Sequence, residues 1–179
     1  VMFRSEPRLE DLLMSALPLF CVLLPGMCML ALMRAPDRAH QLLLALLAFG
    51  VPLTGDMAAY FVGSRFGVRR LCPAVSPNKS LEGAAAGLVG SVLFSMLLRG
   101  IFSFFAPMPP LWHFIVLGLL GGFAGQTGDL FASLIKRHCG IKDFGSIFPG
   151  HGGMMDRLDS VYWATVVMYV YMTLRLFPA

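Results

Sequence analysis

GDLFASLIKRHCGIKDFGSIFPGHGGMMDRLDS, residues Gly128–Ser160, decides how the rest of the chain is read. It holds Asp129, Asp143, Asp156 and Asp159, four of the ten acidic residues, beside Lys136, Arg137, Lys142 and Arg157. Long apolar runs flank it on both sides. A charge inside a bilayer costs about 2.5–3.5 kcal/mol at the centre on translocon scales. A charged block set between apolar runs therefore marks a membrane boundary at which charge has a task.

The whole composition agrees. The 179 residues are 57% hydrophobic and 13% charged, with a mean hydropathy of +0.74, whereas ordinary soluble domains carry about 25% charged residues. The apolar runs are continuous, and barrel strands would instead alternate over roughly ten residues. The expected fold is all-α, a polytopic membrane helical bundle. The net charge of +4 forms no stripe of the kind that binds nucleic acid. Cys21, Cys28, Cys72 and Cys139 show no CxxC spacing, so no zinc site or disulfide framework is expected, and Cys21 and Cys28 read as packing residues. The N-terminal stretch lacks the pattern of a cleavable signal.

At about 20 residues per crossing, the sequence predicts five spans: Leu12–Met33, Gln41–Phe66, Glu82–Phe105, Leu111–Arg137 and Asp156–Leu176. Pro18 and Pro25–Gly26 predict a bend in the first. The second and third are joined by a loop, Gly67–Leu81, and the third opens on small residues that let helix backbones approach. Five crossings put the N-terminus, this loop and the loop His138–Met155 on one side, with the C-terminus opposite. That side carries ten of the fourteen Lys and Arg residues, against Arg34, Arg38, Arg99 and Arg175 on the other. By the positive-inside rule the ten face the cytoplasm.

TGDMAAYFVGSR (Thr54–Arg65) can be laid beside TGDLFASLIKR (Thr127–Arg137), which predicts a parallel internal repeat. Asp56 and Asp129 then fall about eight to ten residues before the cytoplasmic end, or about 12–15 Å deep. Asp129, Ser133 and Lys136 share one helix face at i, i+4 and i+7, as do Asp156 and Asp159 at i and i+3. Acids from spans two, four and five can meet at one depth, where a shared cation would relieve their repulsion. Mg²⁺ suits them, since it takes one or two carboxylates plus substrate phosphates. The alternative is that these acids simply pair with Lys136, Arg137 and Arg157. In PGHGG, Gly152 and Gly153 could present backbone N–H groups to phosphate. His151 could bind phosphate or carry a proton, or be a solvated loop residue. In SPNKS, Ser76 and Lys79 stand as phosphate-facing candidates with Glu82 just beyond, and a plain interfacial role is the alternative for Lys79 and Glu82.

SLIKRHCGIKDFGSIFPGHGGMMDRLD, Ser133–Asp159, resembles the signature of the phosphatidate cytidylyltransferase (CDP-diacylglycerol synthase) family. GDMAAYFVGSRFG (Gly55–Gly67) and SPNKSLEGAAAG (Ser76–Gly87) resemble that family's upstream blocks. The resemblance implies a catalytic membrane region over residues 55–179, preceded by residues 1–54 with the first span and the start of the second. It implies CTP and phosphatidic acid as substrates, CDP-diacylglycerol and pyrophosphate as products, and Mg²⁺ as cofactor, one ion or two. It makes Asp129 and Asp156 the metal ligands, with Asp56 in an altered setting as a third. Lys136, Arg137, Lys142 and Asp143 fall in the family's charged active-site block, and His151, Arg157 and Asp159 lie in the same signature. Family members usually carry further N-terminal spans, so the start at Val1 is expected to reflect a truncation or an alternative start codon. Two alternatives remain at this point: a CDP-archaeol synthase-like enzyme acting on an ether lipid, and a non-catalytic paralogue that assembles with a full-length partner. So few helices also make a homodimer reasonable.

Overall fold

The computed structural model describes residues 9–35, 37–145 and 153–174. The first predicted span is one rod of three segments: α1 (Leu9–Pro18), a π-helical turn (Leu19–Leu23) and α2 (Leu24–Leu32). The Leu24 N–H bonds the carbonyl of Leu19, five residues back, so the hydrogen-bond ladder widens just before Pro25, which has no N–H to give. The bend expected from the prolines is thus a π-turn between them.

α3 runs from Arg38 to Phe66, starting three residues earlier than predicted. Asp37 explains the start. Its carboxylate caps the helix by accepting from the His40 N–H at 2.7 Å, and its other oxygen meets the His40 ring at 2.6 Å. The amide first, and then the imidazole, hold the Asp37 carboxyl below the usual carboxylate range. The 29 residues of α3 reach about 43 Å at 1.5 Å per residue, beyond a hydrocarbon core of about 30 Å.

Where a plain loop was expected, the chain forms an antiparallel hairpin of β1 (Arg70–Cys72) and β2 (Ser76–Ser80), with Arg70 opposite Ser80 and Cys72 opposite Ser76. A bulge between those pairs absorbs the extra residues of β2. Ser80 then caps α4 (Leu81–Phe102), its hydroxyl accepting from the Gly83 N–H at 3.1 Å. α5 spans Leu111–His138 and α6 spans Met155–Thr173.

Among the described residues, four rods are long and apolar enough to cross a membrane: Ser15–Leu32, α3, α4 and α5. The fifth, α6, opens with Asp156, Arg157 and Asp159, which lower its apolarity where it leaves the preceding loop. The result is a polytopic helical membrane protein, as the sequence implied. α4 packs against α3 and α5, while α6 packs against α5, α3 and α2.

The two halves of the bundle are built differently. At the end away from the hairpin, Leu43, Leu47 and Val51 of α3 meet Leu98 and Phe102 of α4, Phe114 and Leu117 of α5, and Met168 of α6 in an apolar core. At the hairpin end, small residues replace these large ones. A Cβ on Gly87 of α4 would come within 3.0 Å of the Gly55 carbonyl of α3 and 2.6 Å of Gln126 Nε2 of α5, so a glycine lets these helices approach closely there. Buried hydroxyls fasten the same helices: Ser91 Oγ donates to the Val51 carbonyl at 2.9 Å, and Ser95 Oγ to the Phe114 carbonyl at 2.6 Å. Large side chains close one end, and small ones leave space at the other.

Candidate active site

That space is a cavity of about 630 Å³ between the C-terminal half of α3, the hairpin, the start of α4 and the second half of α5. Asp56 and Tyr60 enter from α3, Arg70, Asn78 and Lys79 from the hairpin, and Gln126 and Asp129 from α5. The repeated TGD motif explains why two carboxylates arrive together. In each copy the threonine hydroxyl bonds back to its own helix, Thr54 to the Gly50 and Val51 carbonyls and Thr127 to those of Phe123 and Ala124. The glycine lies against a neighbouring helix, and the aspartate two residues past the threonine turns into the cavity.

The charges are arranged unevenly. Lys79 Nζ forms an ion pair with the Asp129 carboxylate, both side chains being about a quarter exposed. The Asp56 side chain lies near Ser160 of α6. Asp159, buried on α6, accepts from the Ser160 N–H at 2.7 Å and lies close enough to interact electrostatically with Asp129 and Asp56. Three acids from three helices, Asp56, Asp129 and Asp159, thus share this end of the bundle.

Asp156 belongs to a second, adjoining cluster. Its Oδ1 accepts from Lys136 Nζ at 2.7 Å, and its Oδ2 from the N–H groups of Phe144 and Gly153 at 2.8 and 2.9 Å. Both charged side chains are largely buried, at 12% and 7% exposure, and the Phe144 ring lies 5.3 Å from the ammonium. A Cβ on Gly153 would fall 2.8 Å from the Gly145 nitrogen. Gly153 therefore lets its backbone pack against that of Gly145 beside Asp156.

Among the described residues no group of three or more His, Cys, Asp or Glu side chains is set to hold a metal ion. The expected trio of Asp56, Asp129 and Asp156 is therefore not preassembled. The cavity takes in Asp56 and Asp129, while Asp156 is engaged by Lys136 and two loop amides. The chemistry of the donors still fits Mg²⁺, for which two carboxylates facing a cavity with room for phosphates are sufficient.

Of the other expected residues, Lys79 lines the cavity, whereas Ser76, Glu82 and Ser133 lie outside its lining. Arg137, Lys142, Asp143 and Arg157 are exposed around the same end of the bundle, Arg137 Nε donating to the Val75 carbonyl of the hairpin at 3.4 Å. His151 and Gly152 fall outside the described residues. Sequence reasoning missed Tyr60, Arg70, Asn78, Gln126 and Ser160. Helical spacing could have found two of them, since Tyr60 lies four residues after Asp56 and Gln126 three before Asp129.

The model of the cytidylyltransferase family matches residues 2–175. The chain belongs to that family. This cytidylyltransferase-family chain is 43% identical over 123 residues to a phosphatidate cytidylyltransferase of Bacillus subtilis, covering 68% of this chain and 44% of that protein. It is 39% identical over 123 residues to the phosphatidate cytidylyltransferase of Staphylococcus saprophyticus, with 69% and 46% covered. The enzyme of the same name from Thermotoga maritima is 38% identical over 117 residues, with 64% and 43% covered. The matched stretch thus spans less than half the length of these curated relatives.

Proposed function

We propose that the chain is a CTP:phosphatidate cytidylyltransferase, joining CTP and phosphatidic acid to give CDP-diacylglycerol and pyrophosphate. The observation that carries this reading is the cavity in which Asp56 and Asp129 from the two TGD copies meet Lys79 of the hairpin. The names of the related proteins supply the substrates. A phosphate oxygen of the lipid attacks the α-phosphorus of CTP. A new P–O bond forms there, the bond to the bridging α,β-oxygen breaks, and pyrophosphate leaves. Such transfers ask the protein mainly to position and neutralise the reactants.

Arg70 and Lys79 bind nucleotide phosphates in the cavity. Arg137, Lys142 and Arg157 form a cationic rim that draws in the anionic headgroup, while the acyl chains stay in the bilayer. Asp56 and Asp129 would hold Mg²⁺, which supplies positive charge at the leaving pyrophosphate. Lys136 is held by Asp156 beside this rim and fixes the loop that follows α5. The site faces the cytoplasm of a bacterial inner membrane, in keeping with the ten-to-four bias of cations.

Purified chain in mixed micelles with CTP, Mg²⁺ and phosphatidic acid is expected to release pyrophosphate and form a CDP-lipid in equal amounts. It should favour the diacyl lipid over an unsaturated ether lipid supplied at the same concentration. Failure to form any CDP-lipid from either substrate would overturn the assignment.

A further inference from the structure

Glu82, the second residue of α4, lies between Ser80 and Gly83, both of which line the cavity, yet its own carboxylate is turned elsewhere. Oε2 accepts from the Val68 N–H at 3.2 Å, and both oxygens accept from the Arg69 N–H at 3.3 Å. One residue away, the Leu81 N–H donates to the Arg69 carbonyl at 2.9 Å. These bonds tie the entry of the hairpin to the first turn of α4. Everything the hairpin contributes to the cavity, including Arg70, Asn78 and Lys79, is chain held between those two anchors.

We propose that Glu82 is a positioning residue that fixes the hairpin wall of the cavity through backbone amides and does not itself touch substrate or metal. This rests on reading the cavity as the substrate site. Val68 and Arg69 are exposed, so water can replace the lost acceptor and the bundle folds without it. What is lost is the fixed placement of Lys79 and Arg70. A carboxylate is not essential for this work, because a side-chain amide oxygen can accept from the same N–H groups. A metal ligand or general base would need the negative charge.

That difference defines the experiment. Glu82→Gln and Glu82→Ala are compared with the unaltered chain by steady-state kinetics and by backbone amide exchange over residues 67–81. The expected result for Glu82→Ala is a KM for CTP raised about tenfold with kcat changed less than threefold, and exchange of the Val68 and Arg69 amides at least about tenfold faster. Glu82→Gln should stay within about threefold of the unaltered chain in all three. Two results overturn the proposal: a glutamine variant as inactive as the alanine variant with exchange unchanged, or an alanine variant unchanged in both exchange and KM. The exchange readout needs no turnover. A chain that forms no CDP-lipid would defeat the functional reading, while faster exchange confined to Glu82→Ala would still support the clamp.

Discussion

Asp129→Asn is expected to lower the rate of CDP-lipid formation by about 10²–10³-fold, the range found when one group that stabilises transition-state charge is removed. Asparagine keeps the shape of the side chain and can still accept a hydrogen bond, so the bundle should unfold at nearly the same temperature. The charge is what disappears, and three features depend on it. Lys79 loses its ion-pair partner, Asp56 loses the second carboxylate of the cavity, and Asp159 is relieved of a neighbouring negative charge. Initial rates at saturating CTP, set beside a thermal unfolding curve in detergent, separate chemistry from stability. A rate within threefold of the unaltered chain would remove Asp129 from the reaction.

Lys136 and Asp156 should give the largest change in stability. Their side chains are largely buried, and removing one partner of a buried pair typically costs about 3–5 kcal/mol because the other is left uncompensated. The two single variants should not be equal. Lys136→Met strands a carboxylate that still accepts from the Phe144 and Gly153 amides, whereas Asp156→Ala strands the ammonium and also frees both amides. Asp156→Ala is thus expected to be the more damaging. The double variant Lys136→Met/Asp156→Ala should recover part of the loss, since it removes both charges together. Thermal midpoints of the four proteins in one detergent test this, and strictly additive losses would show that the pair is not coupled.

Much of the fold was readable before any coordinate. The predicted fourth span, Leu111–Arg137, ends one residue short of α5, and the third, expected from Glu82, begins one residue after the start of α4. Length and continuous apolarity fix such elements almost alone. The hairpin was not readable, because SPNKS has the composition of a turn and contains a proline. Its strand character comes from pairing with Arg70–Cys72 and from anchors at Ser80 and Glu82 that only the folded chain supplies.

The site divides in the same way. The TGD repeat, a local pattern, set Asp56 beside Asp129, and both side chains line the one cavity. The pairing of Asp129 with Asp156 is what the family resemblance implies, and the helix spacing set beside it reports the face of a helix but not its rotation against a neighbour. In the fold Asp156 is drawn to Lys136, twenty residues away in sequence, and to amides of a loop whose path no periodicity encodes.

The central claim is that carboxylates from α3 and α5, and not the one that opens α6, face the ion and the nucleotide phosphates. Titration of the chain with Mn²⁺ in the presence of CTP, followed by the loss of the free-ion electron paramagnetic resonance signal, tests it most directly. The account predicts binding that is lost in Asp129→Asn, weakened in Asp56→Asn and kept in Asp156→Asn, whose side-chain oxygen can still accept from the loop amides. Binding kept in Asp129→Asn and lost in Asp156→Asn would contradict it.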